Sequence, residues 1–255
     1  MKTLTSIIAN LITSTPLQYL PVYVREGLAQ GARWTLLPFS SNWRSGGEPD
    51  LEAAYRMPRT DRILNCWDLG AHFGIHTVGL ARQVGPDGQV AAFEPDPVAF
   101  TRLSRHVSMN GLKNVKLFNA AVSDRSGNAD LIISSGLGST LSHFKYEDEP
   151  VTSSTQSLSV PTVVLDELVD AGEISLPDLI KIDIQGHGAK AIHGGIRAIT
   201  RSRPIIVLSS HSQWELYDSK AILESLDYQP FDASGNRIPW EAFMHETGIL
   251  KAGNS

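Results

Sequence analysis

The side chains best suited to chemistry stand where apolar runs break. Ile63 to Val78 reads ILNCWDLGAHFGIHTV, an apolar run that closes on Asp68 and is followed by Gly70 and Gly74. Without a Cβ, glycine lets a backbone turn sharply and come close to a ligand. A helical pattern starts directly behind, with Ile75, Val78 and Ala81 on one face, so its first N–H groups lack helical partners at the turn. The spacing is Gly-x-x-x-Gly, not the Gly-x-Gly-x-x-Gly of a pyrophosphate cradle. Asp68 would also repel a diphosphate, and it suits a cationic or zwitterionic ligand better. S-adenosylmethionine, with its sulfonium, amino group and carboxylate, meets that description. An ordinary β–turn–helix corner without a ligand meets it as well.

Three further places carry candidate groups. Glu94 follows the glycine turn by about twenty residues, where a Rossmann-type fold holds the carboxylate that binds ribose hydroxyls. Ala120 and Ala121 follow a third apolar run and leave room for a flat ring. In the run Asp178 to Ile184, strand alternation puts Lys181 and Asp183 on one side and Ile180 and Ile182 on the other. An ionisable pair in such a strand is expected to be paired or functional.

The elements that must position these groups are legible in outline. Strands are expected at Ile63–Asp68, Gln89–Phe93, Val115–Phe118, Asp178–Ile184, Pro204–Leu208 and, near the end, around Tyr228–Phe231 and Thr247–Leu250. Gly85-Pro86-Asp87-Gly88 is a turn signal. Asp96 can cap a helix with Pro97 at its first position and Asn110-Gly111 at its end. A short extra strand is expected at Asp130–Ser134, and Asp166 is expected to cap a short helix. Ser134–Ser159, rich in Ser, Thr and Gly, has the character of a mobile loop covering the site. Residues 1 to about 60 hold two short helical patterns broken by Pro16 and Pro21, then the polar stretch Ser40–Asp50. They form an N-terminal helical extension, either a cap over the site or a homodimer contact, ahead of a domain spanning 61–255.

Bulk composition excludes more than it assigns. The chain has 255 residues, 42% hydrophobic and 19% charged, which is ordinary for a globular protein with a full core. The net charge of -5 and the lack of a basic cluster argue against a nucleic-acid partner. A single cysteine, Cys66, cannot form an intramolecular disulfide, which favours a reducing, cytoplasmic setting. Leu4, Ile7, Ile8 and Leu11 form one amphipathic face, too short and too interrupted for stable membrane insertion.

Five segments occur in order: DLGAHFGIHT, AFEPDP, NAAVSDRSG, VVLDEL and KIDIQGHGAKAIHGG. Together they resemble the FkbM-type family of S-adenosylmethionine-dependent methyltransferases, over about Ile63 to His211. The resemblance implies an α/β class I methyltransferase Rossmann-like fold, with a seven-stranded, mostly parallel sheet and helices on both faces. It implies O-methylation of a hydroxyl on a sugar, glycan or other natural product, with S-adenosylmethionine as cofactor. By position, Asp68, Gly70, Gly74 and Thr77 would surround the methionine part of the cofactor, Glu94 its ribose, and Ala120 with Ala121 its adenine. Asp183 would face the reacting end. Two departures stand out. The family's Glu-Gly-x-Glu becomes Gln185-Gly186-His187-Gly188, and a Glu that commonly ends the fifth strand is replaced by Ser209.

An alcohol acceptor needs its proton removed. His211, just past the fifth strand, is the first candidate base, and His187 is the second. His72, His76 and His193 are expected to be structural or to line the cofactor site, and no metal site is expected. Two rivals remain at this level. A nicotinamide-dependent oxidoreductase is disfavoured by the glycine spacing. A catalytically silent S-adenosylmethionine-binding regulatory or assembly protein would have no need of the lost carboxylates.

Overall fold

The computed structural model describes residues 15, 20–36, 49–56, 64–133, 143–144, 156–210, 213–243 and 247–253. The chain opens on a hairpin of β1 (Pro21–Tyr23) and β2 (Arg33–Thr35), then helix α1 (Pro49–Arg56). A regular alternation follows: β3 (Asn65–Leu69), α2 (Ile75–Val84), β4 (Gln89–Phe93), α3 (Pro97–Met109) and β5 (Val115–Phe118). An insertion comes next, made of β6 (Ala121–Val122), β7 (Gly127–Ile133), β8 (His143–Phe144), β9 (Gln156–Val163) and α4 (Leu165–Asp170). The alternation resumes with β10 (Leu179–Ile182), α5 (Gly188–Gly194), α6 (Ile196–Ser202), β11 (Ile205–Ser209) and α7 (Gln213–Ser225). It ends on β12 (Tyr228–Phe231) and β13 (Thr247–Ala252).

Seven strands form the main sheet in the order β12-β13-β11-β10-β3-β4-β5. Its pairings are parallel except the two made by β13. The central strands are apolar almost throughout because both faces are covered. Trp67, Phe93, Ile180, Ile182 and Leu208 pack on one face with side chains from α4, α5, α6 and α7. Cys66, Val90, Leu179 and Val207 pack on the other, under Leu51 and Ala54 of α1 and Leu80 and Val84 of α2. Chain order runs from β3 outward to β5 on one side and from β10 to β11 on the other. The direction therefore switches between β3 and β10, and open α/β sheets bind their ligands at the carboxyl ends of such strands.

Several expectations are corrected locally. The described part of residues 20–36 is a hairpin, not a helix, because Gly27 and Gly31 take φ of +80° and +77° and let the chain fold back on itself. The Val24 N–H donates to the Ala32 carbonyl at 2.9 Å, and the Gly31 N–H donates to the Val24 carbonyl at 2.8 Å. The Leu4–Leu11 face and residues 40–48 lie outside the described residues. β7 is longer than the short strand expected, and β8 and part of β9 fall inside the segment expected to be a loop. These strands build a second sheet in the order β6-β9-β7-β8. Leu131 pairs with Leu158 across it, and Val160 joins the main core, so alternation gives a Ser-rich sequence one apolar side. The rest of Ser134–Ser159 lies outside the described residues. Asp166 does not cap its own helix. Its carboxylate accepts from the Arg197 and Ala198 N–H groups at 3.0 and 2.9 Å and caps α6 instead.

Candidate active site

Strand register sets Lys181 of β10 beside Asp68 of β3, on the face that α2 covers. Both side chains are fully buried. Lys181 Nζ lies 3.0 Å from Oδ2 of Asp183, whose side chain is 34% exposed. The charge of the same buried ammonium also acts on Asp68. Burial pushes the Asp68 carboxyl up from its ordinary range, against the Lys181 ammonium and a hydrogen bond from Thr77. Thr77 Oγ1, in the first turn of α2, donates to Asp68 Oδ2 at 2.5 Å. Asp68 Oδ1 is buried with no hydrogen-bond partner. Such an orphan costs about 1–3 kcal/mol until a donor completes it, and a ligand ammonium is a fitting donor.

The glycine turn is dictated by close approach. Gly70 and Gly74 take φ of +84° and +87°. A Cβ on Gly70 would fall 2.1 Å from the Asp183 carbonyl oxygen, and one on Gly74 would fall 2.4 Å from Leu103 Cδ1. The N–H groups of Gly70 and Ala71 both donate to the Phe93 carbonyl, which hangs the turn on the end of β4. Glu94 is the next residue. Its Oε2 accepts from the His72 N–H at 2.7 Å and its Oε1 from the Asp96 N–H at 2.8 Å. Burial pushes this carboxyl up to about 7. Each oxygen keeps capacity for another donor, as a ribose diol would need. The Asn119 amide donates to the Glu94 and Pro95 carbonyls at 2.8 and 3.2 Å, which brings buried Ala120 and Ala121 up beside this turn. His72 has φ +49°, its ring Nε2 is buried without a hydrogen-bond partner, and burial lowers it to about 4.

The turn is braced from behind. His106 is fully buried in α3, with Nδ1 2.8 Å from the Phe73 carbonyl and Nε2 2.7 Å from Thr35 Oγ1. The Phe73 carbonyl can only accept, so Nδ1 carries the proton and Nε2 accepts from Thr35. Trp34 stacks on the imidazole at 3.5 Å. The N-terminal hairpin therefore reaches the glycine turn through the His106 side chain as well as by packing with Ala71 and Phe73.

On the far side of Asp183, the loop 184–188 leads into α5. His187 is buried, with Nε2 3.1 Å from Ser123 Oγ, and burial, helped by Lys190, lowers it to about 4. Glu215, from the first turn of α7, accepts from the N–H groups of Gly186 and Gly188 at 3.3 and 3.0 Å. Ser209 Oγ and Thr247 Oγ1 are 2.9 Å apart. His211 lies outside the described residues.

The structure thus brings Asp68, Thr77, Lys181 and Asp183 into one cluster, with Gly70, Gly74 and Glu94 on the adjoining turn. Sequence reasoning missed Asn119, His106, Ser123 and Glu215. Asn119 had a local signal, a polar residue between a strand end and two alanines. Glu215 had none, since an acid in the first turn of a helix is ordinary.

The described residues fit S-adenosylmethionine on structural grounds: an orphaned buried carboxylate oxygen, a turn without Cβ atoms, and a second carboxylate with open acceptor capacity. The comparisons with known proteins agree. A family model described as the methyltransferase FkbM domain matches residues 68–231. The chain is 31% identical over 224 residues to the 2-O-methyltransferase NoeI of Sinorhizobium fredii, covering 80% of this chain and 86% of the relative. It is 26% identical over 195 residues to the hexuronic acid methyltransferase AglP of Haloferax volcanii, covering 72% of each. A crystal structure of methyltransferase FkbM from Methylobacillus flagellatus shares the fold with a TM-score of 0.50 and 20% identity, over 76% of this chain and 45% of that one. The match to the family model, across the segment that carries the Asp68–Lys181–Asp183 cluster and Glu94, places this chain in the FkbM family of S-adenosylmethionine-dependent methyltransferases.

Proposed function

We propose that the chain transfers a methyl group to a hydroxyl of a sugar or glycan. The observation that supports this reading is its similarity to two relatives, a 2-O-methyltransferase and a hexuronic acid methyltransferase. When bound, the cofactor supplies a methyl group already activated on a sulfonium and leaves as the thioether. The rest is positioning and proton removal by the chain. Asp68, through Oδ1, takes the amino group of the methionine part, and Thr77 holds the other oxygen in place. Gly70 and Gly74 keep side chains out of that space. Glu94 accepts from the ribose hydroxyls, and Ala120 and Ala121 border the adenine. Asp183, at the crevice end of the pair with Lys181, orients the acceptor hydroxyl toward the methyl carbon.

His211 is the base we assign to that hydroxyl, because in the sequence it follows the last residue of β11 by two, and open α/β sheets bind ligands beyond the carboxyl ends of their strands. The imidazole would take the acceptor hydroxyl's proton and pass it to solvent, while a bound cofactor would supply the methyl group and keep the sulfur electron pair as a thioether. His187 ranks second, since burial weakens it as a base and Ser123 faces its Nε2.

The test is a labelled-methyl screen of hexuronic acids, methyl glycosides and oligosaccharides with the purified chain. Label should appear as a methyl ether on a ring hydroxyl. Tight binding of S-adenosylhomocysteine with no label on any sugar would overturn the acceptor class. With an acceptor found, His211→Ala should lower kcat by about 10²-fold or more and leave cofactor affinity unchanged. Near-normal turnover would remove His211 from the mechanism.

A further inference from the structure

We propose that Glu215 is the positioning carboxylate of the acceptor loop, delivered from α7 into the place that a side chain on residue 188 would otherwise take. The loop leaves the carboxyl end of β10 just after Asp183 and turns on Gly186, at φ +74°. Its two glycine N–H groups converge on one carboxylate. Gly188 N–H donates to Glu215 Oε1 at 3.0 Å and Gly186 N–H to Oε2 at 3.3 Å. Between these glycines stands His187, held at Ser123.

The missing side chain at Gly188 leaves room for the Glu215 carboxylate. A Cβ built on Gly188 would lie 2.9 Å from Glu215 Oε1, so the end of that side chain would have to shift from where the loop N–H groups hold it. A side chain at 188 would compete with the Glu215 carboxylate for its present position on the two loop N–H groups. Glu215 is only 5% exposed. A carboxylate so buried needs strong partners, and two N–H groups of a single loop are such partners. The Glu-Gly-x-Glu pattern expected from the resemblance ends at position 188, where this chain has glycine. Here a carboxylate reaches the same loop from a different element. Glu215 thereby fixes the path of the backbone that follows Asp183, and with it the acceptor side of the site. That last step rests on the acceptor reading above. The exchange between 188 and 215 does not.

The experiment uses the full chain saturated with S-adenosylhomocysteine. Glu215→Gln and Glu215→Ala, which remove one or both acceptors, should speed amide exchange at Gly186 and Gly188 by about ten- to a hundredfold. Affinity for S-adenosylhomocysteine should stay unchanged. Gly188→Ala should lower the thermal midpoint in the wild-type background and be tolerated when Glu215 is Ala. Moving the carboxylate back, as Gly188→Glu with Glu215→Ala, should restore slow exchange at Gly186. With an acceptor from the screen, it should also restore kcat relative to Glu215→Ala alone. Two results would each overturn the proposal: Gly188→Ala costing the same midpoint with and without Glu215, or Glu215→Ala leaving both amides as protected as before. Exchange and thermal midpoints need no acceptor, so failure of the sugar screen and failure of this proposal are read separately.

Discussion

Glu94 is a carboxylate with two donors already on it and a buried setting that resists its charge. In the cofactor pose proposed above, the ribose hydroxyls would donate to the ionised form. Binding of S-adenosylhomocysteine should therefore strengthen as pH rises through about 7 and level off above it. Below that value the affinity should fall by up to about tenfold per pH unit. Glu94→Gln should flatten this profile and weaken binding by roughly 1–3 kcal/mol. Calorimetric titrations on either side of the Glu94 transition check both. A pH profile unchanged by the substitution would mean that another group titrates. Lys181 needs the opposite treatment. Replacing it by methionine would leave Asp68 and Asp183 facing each other without their cation, a far larger insult than loss of an exposed pair.

Among the elements, the hairpin of β1 and β2 has a role beyond covering surface. Trp34 is fully buried and stacks on His106, which holds the Phe73 carbonyl inside the glycine turn. Trp34→Ala should cost about 3–5 kcal/mol of stability from the lost ring alone. It should also weaken S-adenosylhomocysteine binding, measured well below the thermal transition, because His106 loses the ring that fixes its plane. A folded Trp34→Ala protein with wild-type affinity would show that the brace does not reach the site. The glycine turn leaves no comparable freedom. Gly70→Ala would drive a methyl group into the Asp183 carbonyl at a backbone conformation alanine avoids, and we expect no folded product. Soluble, cofactor-binding Gly70→Ala protein would contradict the packing described.

Taken as a whole, the molecule stores its pH response in buried imidazoles. His72, His106 and His187 are each held to about 4 by burial and His76 to about 3, against 6.5 for a free imidazole. Between these values the unfolded chain binds more protons than the folded one, so stability contributed by neutral histidines grows as pH rises from 4 toward 6.5. Glu94 works against them. Its folded value is raised to about 7 from 4.5, so its contribution is full below 4.5 and is lost as pH climbs through 7. Four histidines oppose Glu94 and the buried Asp68, whose carboxyl is also raised, and the cofactor-free thermal midpoint should rise with pH across that window. Glu94→Gln should make the rise steeper. A midpoint that falls with pH in both proteins would refute the assignment of the histidines as buried and neutral. No helix among the described residues is long and apolar enough to cross a membrane.

Local signals carried much of this protein. The strand–Gly70–Gly74–helix corner, the Asp96 cap with Pro97 behind it, and the placement of Glu94 are all encoded within a few residues of one another. Backbone sterics, capping and two-residue alternation act at that range. Alternation even put Lys181 and Asp183 on one side of β10, where they pair at 3.0 Å. Other features depend on segments far apart in the chain. The Ser-rich stretch after β7 gave no sign that Leu158 would lie across from Leu131. Asp166 read as a cap for its own helix, yet it caps α6, some thirty residues on. Glu215 meets Gly188 only because α7 packs back over the loop that follows β10. A sequence fixes what a residue can donate, accept or exclude. Which residue receives it is decided when strands and helices far apart in the chain close on the same buried space, where an unpartnered charge or donor is too costly to leave.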